Sequence, residues 1–148
     1  MPRFRTIGDI LDFAIAREVE AQRFYTSLAQ LATRAEVQGV IRRLAMDELQ
    51  HSIHLQAIKA GEVAFASDEE VGSLDIEEAL AEVSPQAEMS YPDLLVIAMK
   101  KEKTAFRLYT NLASLATSEA LRNVLEKIAQ EEAGHKLRLE IEYDWATF

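Results

Sequence analysis

Residues 28–33 read LAQLAT and residues 112–117 read LASLAT, so the second stretch repeats the first at an offset of 112 minus 28, or 84, residues. The same offset, applied without a gap, aligns the first third of the chain with the last third. Polar as well as apolar residues are identical at this offset: Asp9, Leu11, Ala14, Ala21, Arg23 and Tyr25 match Asp93, Leu95, Ala98, Ala105, Arg107 and Tyr109. The chain is therefore an internal duplication.

Each repeat has the sequence pattern of two helices joined by a short turn. Apolar residues recur at spacings of three and four positions, which is the period of an α-helix. Thr6-x-x-Asp9 and Ser90-x-x-Asp93 resemble capping boxes, with Asp in the place of the usual Glu. A helical hairpin is therefore predicted in each repeat.

The segment between the two hairpins is too long for the tight turn that joins neighbouring antiparallel helices. We expect it to cross the length of the molecule and to form a short amphipathic helix over residues 74–83. Four helices with inward-facing apolar stripes predict an all-α, antiparallel four-helix bundle. The predicted ranges are a single domain over 1–148, with hairpin 1 over about 8–60, the crossover over about 61–89 and hairpin 2 over about 91–146.

Composition narrows the possible functions. The chain has 148 residues, 49% of them hydrophobic, which is enough for one domain with a core. A net charge of -9, with no dense basic cluster beyond Arg3 and Arg5, argues against nucleic acid or an anionic membrane as the partner. The chain has no cysteine, which excludes disulfides, thiolate metal sites and iron–sulfur clusters. Since no apolar run resembles a signal peptide or a membrane span, we expect a cytoplasmic protein.

Glutamates and histidines interrupt the apolar stripes at repeated positions. A carboxylate in an apolar stripe costs several kcal/mol unless something compensates its charge. Glutamate and histidine at i and i+3 share one helix face, so each Glu-x-x-His motif can present an oxygen and a nitrogen to one ion. Four carboxylates match the charge of two divalent cations. The predicted metal ligands are Glu18, Glu48, His51, Glu102, Glu132 and His135.

These motifs resemble the rubrerythrin and bacterioferritin branch of the ferritin-like superfamily over nearly the whole chain. The first and third helices resemble that branch through a Glu-x-x-Ala-x-x-x-Tyr pattern, and the second and fourth through Glu-x-x-His. The residues that carry the resemblance are Glu18, Ala21 and Tyr25 with Glu102, Ala105 and Tyr109, and Glu48 and His51 with Glu132 and His135. The resemblance implies a ferritin-like bundle that binds two iron ions.

The resemblance also implies roles for the ligands. Glu48 and Glu132 would bridge the two metals, and one further glutamate and one histidine would complete each ion: Glu18 with His51, and Glu102 with His135. Manganese or zinc could substitute for iron, because nitrogen and oxygen ligands also accept those ions. Tyr25 and Tyr109 lie two turns from their glutamates. We favour hydrogen bonds from these tyrosines to ligand carboxylates over a purely packing role.

Three positions depart from the family pattern. Leu49 stands where bacterioferritins place the methionine that binds haem, so we expect no haem. Ala105 stands where typical rubrerythrins carry an extra glutamate, so a redox-linked exchange of ligands is not expected. Because the chain lacks the cysteine-rich rubredoxin domain, electrons would come from a separate donor protein.

The preferred function is an oxidoreductase that reduces hydrogen peroxide, or dioxygen, at a di-iron site. The alternative is a ferroxidase or iron-handling protein in which iron is cargo, and an oxygenase acting on an organic substrate is a weaker third interpretation.

Aromatic residues Trp145 and Phe148 favour a homodimer. His54 has no counterpart in the second repeat and is interpreted as a surface residue, whereas Met46 and Met99 are expected to fill gaps in the core.

Overall fold

The computed structural model describes residues 6–61 and 89–148, and these residues form four α-helices. The chain divides into two compact units, Met1–Ser73 and Leu74–Phe148, each with one pair of helices. The predicted crossover helix over 74–83 lies outside the described residues. The helices are α1 (Ile7–Leu31), α2 (Ala35–Ala60), α3 (Tyr91–Leu115) and α4 (Glu119–Thr147).

The first helix of each hairpin starts with the predicted capping box. The Thr6 hydroxyl accepts a hydrogen bond from the Asp9 amide at 3.0 Å, and the Asp9 carboxylate accepts one from the Thr6 amide at 3.1 Å. Ser90 and Asp93 make the same pair of hydrogen bonds at 3.3 and 3.4 Å. Each box satisfies backbone amides that the first turn of a helix leaves without a partner inside the helix.

The first unit is an antiparallel hairpin of α1 and α2. At its turn, the Gln38 side-chain amide donates a hydrogen bond to the Ala32 carbonyl at 2.7 Å. At its other end, Lys59 in the last turn of α2 forms an ion pair with Asp12 near the start of α1. An ion pair between the end of one helix and the start of the other requires the two helices to run in opposite directions.

The second unit repeats this arrangement with α3 and α4. At its turn, Arg122 donates a hydrogen bond to the Ala116 carbonyl at 3.0 Å. At its open end, the Tyr91 hydroxyl donates to the Glu142 carboxylate at 3.1 Å. Burial and, to a smaller extent, the nearby Glu142 carboxylate raise the pKa of Tyr91, so its hydroxyl keeps its proton and remains a donor.

The predicted apolar stripes form the buried faces of the helices. Leu11, Leu55, Leu95 and Leu139 are all at most 1% exposed. None of the four described helices combines the length and apolar character needed to cross a bilayer.

Outside the stripes, the predictions for three single residues can be compared with the structure, and one of them is wrong. His54 is exposed, as predicted. Met99 is half-buried. Met46 is 54% exposed, so the prediction that it fills a gap in the core is wrong. Met46 lies two positions before Glu48, and two helix positions are about 200° of rotation, which places Met46 on the outer face.

Candidate metal centre

The six predicted ligands all lie on buried helix faces. None of their residues is more than 4% exposed, although four of them are glutamates, which proteins rarely bury without a partner. The placement follows from helix geometry, because each ligand keeps the spacing of three or four residues that joins it to the leucines and alanines of its stripe. The sequence-based prediction that these residues are buried is confirmed.

The first hairpin brings Glu18 of α1 to Glu48 and His51 of α2. The His51 Nδ1 atom lies 3.6 Å from Glu18 Oε2 and 3.9 Å from Glu48 Oε1. One ligand atom from each of the three residues lies within 4.8 Å of the others. We call this set the first cluster.

The second hairpin repeats the set with Glu102 of α3 and with Glu132 and His135 of α4. The His135 Nδ1 atom lies 3.6 Å from Glu102 Oε2 and 3.4 Å from Glu132 Oε1. These three residues also offer ligand atoms that lie within 4.8 Å of one another. This set is the second cluster, and the separation of its histidine from its α3 glutamate equals that of the corresponding pair in the first cluster.

These separations fit ligands of a common metal ion. Nitrogen and oxygen ligands lie about 2.0–2.2 Å from a bound transition metal, so two ligands of one ion are about 3–4 Å apart. The histidine-to-glutamate distances of 3.4 to 3.9 Å fall in that range. One imidazole and two carboxylates also form a donor set that suits iron, manganese and zinc. Each cluster can therefore hold one divalent cation.

The second cluster favours positive charge strongly. Burial alone lowers the pKa of the His135 imidazole, but the Glu102 and Glu132 carboxylates outweigh burial and raise that pKa to about 11. A site that holds a proton so firmly at neutral pH stabilises cations in general. A metal ion that binds there through the imidazole nitrogen has to displace this proton.

The predicted tyrosines are among the largest fully buried side chains. Tyr25 and Tyr109 are each 1% exposed and lie on the same stripes as Glu18 and Glu102. The Tyr25 ring packs edge-on against Phe24, with ring centroids 5.6 Å apart. Contact of the two hydroxyls with ligand carboxylates stays a prediction.

Sequence patterns alone did not single out Arg17, the residue before Glu18. Arg17 is only 9% exposed, and its guanidinium carbon lies 5.7 Å from the centre of the Phe13 ring. Arg17 therefore places a buried cation in the same turn of α1 as a predicted ligand. The repeat contained a signal for it, because Lys101 places a second cation at the equivalent position before Glu102.

Over residues 6–61 and 89–148, two helical hairpins that each bury two glutamates and a histidine define a helical protein with carboxylate-rich sites suited to metal ions. Residues 9–143 match the rubrerythrin family, and the chain belongs to that family. No curated protein matches the chain.

Two solved structures share the fold. A hypothetical protein from Pyrococcus furiosus is 25% identical, with a TM-score of 0.72 over 94% of this chain and 89% of that chain. A protein from Thermotoga maritima described as a ferritin-like diiron-carboxylate protein is 22% identical, with a TM-score of 0.72 over 97% of this chain and 98% of that one. The predicted all-α, ferritin-like fold class is confirmed.

Proposed function

We propose that this protein is a di-iron carboxylate oxidoreductase that reduces hydrogen peroxide. The observation that carries the proposal is the pair of buried Glu/Glu/His clusters, one in each hairpin of a chain that belongs to the rubrerythrin family. The Thermotoga maritima protein of the same fold is described as a diiron-carboxylate protein, which supports the same metal chemistry. Pairing of the two ions through Glu48 and Glu132 is what the family resemblance implies.

The reaction needs two electrons and two protons to convert one peroxide molecule into two waters. Two ferrous ions, one per cluster, would supply one electron each. The glutamates would neutralise the charge of bound ions, and the histidines would hold the ions through Nδ1, the atom that faces the carboxylates. Burial of all six ligands keeps bulk water from the site and strengthens the electrostatic hold on the ions.

Tyr25 and Tyr109 are assigned a positioning role in this proposal. A buried tyrosine hydroxyl usually finds a hydrogen-bond partner, and the ligand carboxylates lie two turns away on the same stripe. Such hydrogen bonds would orient the carboxylates. Because this role is to orient ligands and not to react with the oxidant, peroxide should still oxidise the protein faster than dioxygen does when Tyr25 is replaced by phenylalanine.

The proposal is tested by rapid mixing of the di-ferrous protein, prepared without oxygen, with peroxide and with dioxygen in separate experiments. We expect faster oxidation by peroxide, with iron retained after a desalting column. Faster oxidation by dioxygen with release of the ferric ions would replace this function with the ferroxidase alternative, in which iron is cargo.

A further inference from the structure

The second hairpin carries an open surface groove of about 440 Å³ between α3 and α4. Three cations line it: Lys103 and Arg107 from α3 and Lys136 from α4. Phe106 and Leu137 form its apolar part, and these side chains are 38% and 58% exposed. Ala133 and Glu140 complete the lining, so the groove has an exposed apolar surface bordered by three cations and one carboxylate.

The first hairpin lacks this charge at the equivalent positions. The offset of 84 residues places Val19 where α3 has Lys103 and Ser52 where α4 has Lys136, so only Arg107 has a cationic counterpart. Whole helices differ in the same way: α3 carries four cations and two carboxylates, whereas α1 carries two cations and four carboxylates. In a chain with a net charge of -9, the groove is a local exception. The two hairpins have equivalent ligands and equivalent core residues, so neither the metal site nor the packing requires this difference in charge.

The groove lies on the outer side of the two helices that hold the second cluster. Lys103 directly follows Glu102, and Lys136 directly follows His135. Consecutive Cα atoms are about 3.8 Å apart, and a helix with its side chains is about 10 Å across. A molecule seated in the groove is therefore about one helix diameter from the ligands of the second cluster.

The groove has the features of a site for brief, charge-guided docking of another protein. Weak redox complexes have small interfaces, with an apolar centre and a polar, charged rim. Complementary charge raises the rate of encounter more than the final affinity. The Lys136 ammonium already pairs with Glu140 on the same helix, but an ammonium has three donor hydrogens and can bind a second carboxylate.

We propose that this groove is the docking site for a one-electron carrier protein with an acidic surface. The inference rests on the proposed function, since that function needs electrons from outside a chain that has no cysteine. Each carrier would give up one electron and leave oxidised. Two successive dockings would supply the two electrons that reduction of one peroxide molecule consumes.

The test measures the rate at which a reduced, acidic plant-type ferredoxin reduces the iron-loaded, oxidised protein in a stopped-flow instrument. The groove variant combines Lys103→Gln, Arg107→Gln and Lys136→Gln. The control variant combines Arg23→Gln, Arg42→Gln and Arg43→Gln, which removes the same charge from exposed positions of the first hairpin. Each rate is measured at several salt concentrations, and reduction by dithionite, a small reductant, is measured alongside.

We expect the wild-type rate to fall steeply as salt increases, because screening weakens charge-guided encounter. At low salt, ferredoxin should reduce the groove variant at least about tenfold more slowly than the wild type, and the rate of the variant should depend little on salt. The control variant should stay within about twofold of the wild type. Equal losses in both variants, or an unchanged rate in the groove variant, would overturn the docking site.

A milder variant separates docking from damage to the second cluster. Lys103→Val introduces the residue that the first hairpin has at this position, and it should slow reduction by ferredoxin but not by dithionite. Equal slowing with both reductants would contradict the inference. Failure of the proposed function would look different, because the di-ferrous protein would then not react with peroxide, however it had been reduced.

Discussion

The His135 Nδ1 atom lies 3.6 Å from Glu102 Oε2, and this pairing ties metal binding to pH. Because burial is outweighed by the Glu102 and Glu132 carboxylates, the pKa of His135 rises to about 11 and the imidazole is protonated at neutral pH. A divalent cation that binds through Nδ1 must release that proton. We expect the affinity for Mn²⁺ to rise between pH 6 and 8, by up to about tenfold per pH unit for each proton released.

Calorimetric titrations in buffers with different enthalpies of ionisation measure this proton release directly. At pH 7 the second cluster should release about one proton from His135 for each ion bound. Removal of the exposed histidine by His54→Ala should leave the value unchanged. Affinity that is independent of pH, with no proton release, would show that His135 is neutral before the metal arrives.

The same pKa makes the stability of the metal-free protein depend on pH. The folded-state pKa of His135 lies above the ordinary pKa of histidine, 6.5, so the stabilisation from protonated His135 is fully present below about pH 6.5. It is lost progressively as the pH rises to about 11. The midpoint of urea unfolding of the wild type should therefore exceed that of His135→Gln by more at pH 6 than at pH 10. A difference that grows with pH would contradict the assignment.

Metal stoichiometry tests the equivalence of the two clusters. Iron-loaded wild type should contain about two ions per chain, since each hairpin supplies a complete Glu/Glu/His set. His51→Ala should reduce the content to about one ion or fewer, whereas His54→Ala, three residues further along α2, should still give two. Full loading of the combined variant Glu48→Ala and Glu132→Ala would exclude these glutamates as ligands.

The sequence was sufficient for the fold and for the burial of the ligands because the duplication supplied each signal twice. One Glu-x-x-His motif on one helix is usually a surface pair. Here the motif occurs twice at the same offset, and each copy is matched by a glutamate in the apolar stripe of the preceding helix. Such a repeated combination indicates a buried site and not two chance surface pairs. Helix geometry then fixed the buried face: once Leu11 and Tyr25 are buried, Glu18 between them is buried too.

The groove could not be predicted from the sequence, for a physical reason. Residues 100–107 read KKEKTAFR and carry four cations, but the sequence does not show which of them share a face with Lys136, which lies on another helix. The three charges come together only when α3 and α4 pack. The distances within the two clusters could not be predicted from the sequence either, because they depend on side-chain conformations that periodicity does not specify.

Assembly is a further testable expectation. On the outer face of α4, Ile141 is 48% exposed and Trp145 is 68% exposed, one turn apart, and Phe148 is fully exposed. Burial of this surface against a second copy would stabilise a homodimer at about 25 cal/mol per Å² of apolar surface. Sedimentation at micromolar concentration should show a dimer that Trp145→Ser weakens and that Ile53→Ser, an exposed apolar position on α2, does not. A monomeric wild type would contradict the prediction.

The turns of the two hairpins use different side chains for one task, which gives the last prediction. Gln38 and Arg122 stand at equivalent positions, and each donates a hydrogen bond to a carbonyl six residues earlier, at 2.7 and 3.0 Å. Both carbonyls follow the last residue of a helix, where no further turn supplies a donor. We expect Gln38→Ala to lower the free energy of unfolding by about 1 kcal/mol, and Arg122→Ala by about 1.5 kcal/mol because its donor is charged.

Urea unfolding of the metal-free protein measures both losses, with the exposed Gln30→Ala as a control that should change little. The exchanges Gln38→Arg and Arg122→Gln should each retain most of the stability, because either side chain can reach the carbonyl and donate to it. If the exchanged variants are as unstable as the alanine variants, the hydrogen bond is not what holds the turn. The stabilisation would then come from packing of the side-chain methylene groups against the turn.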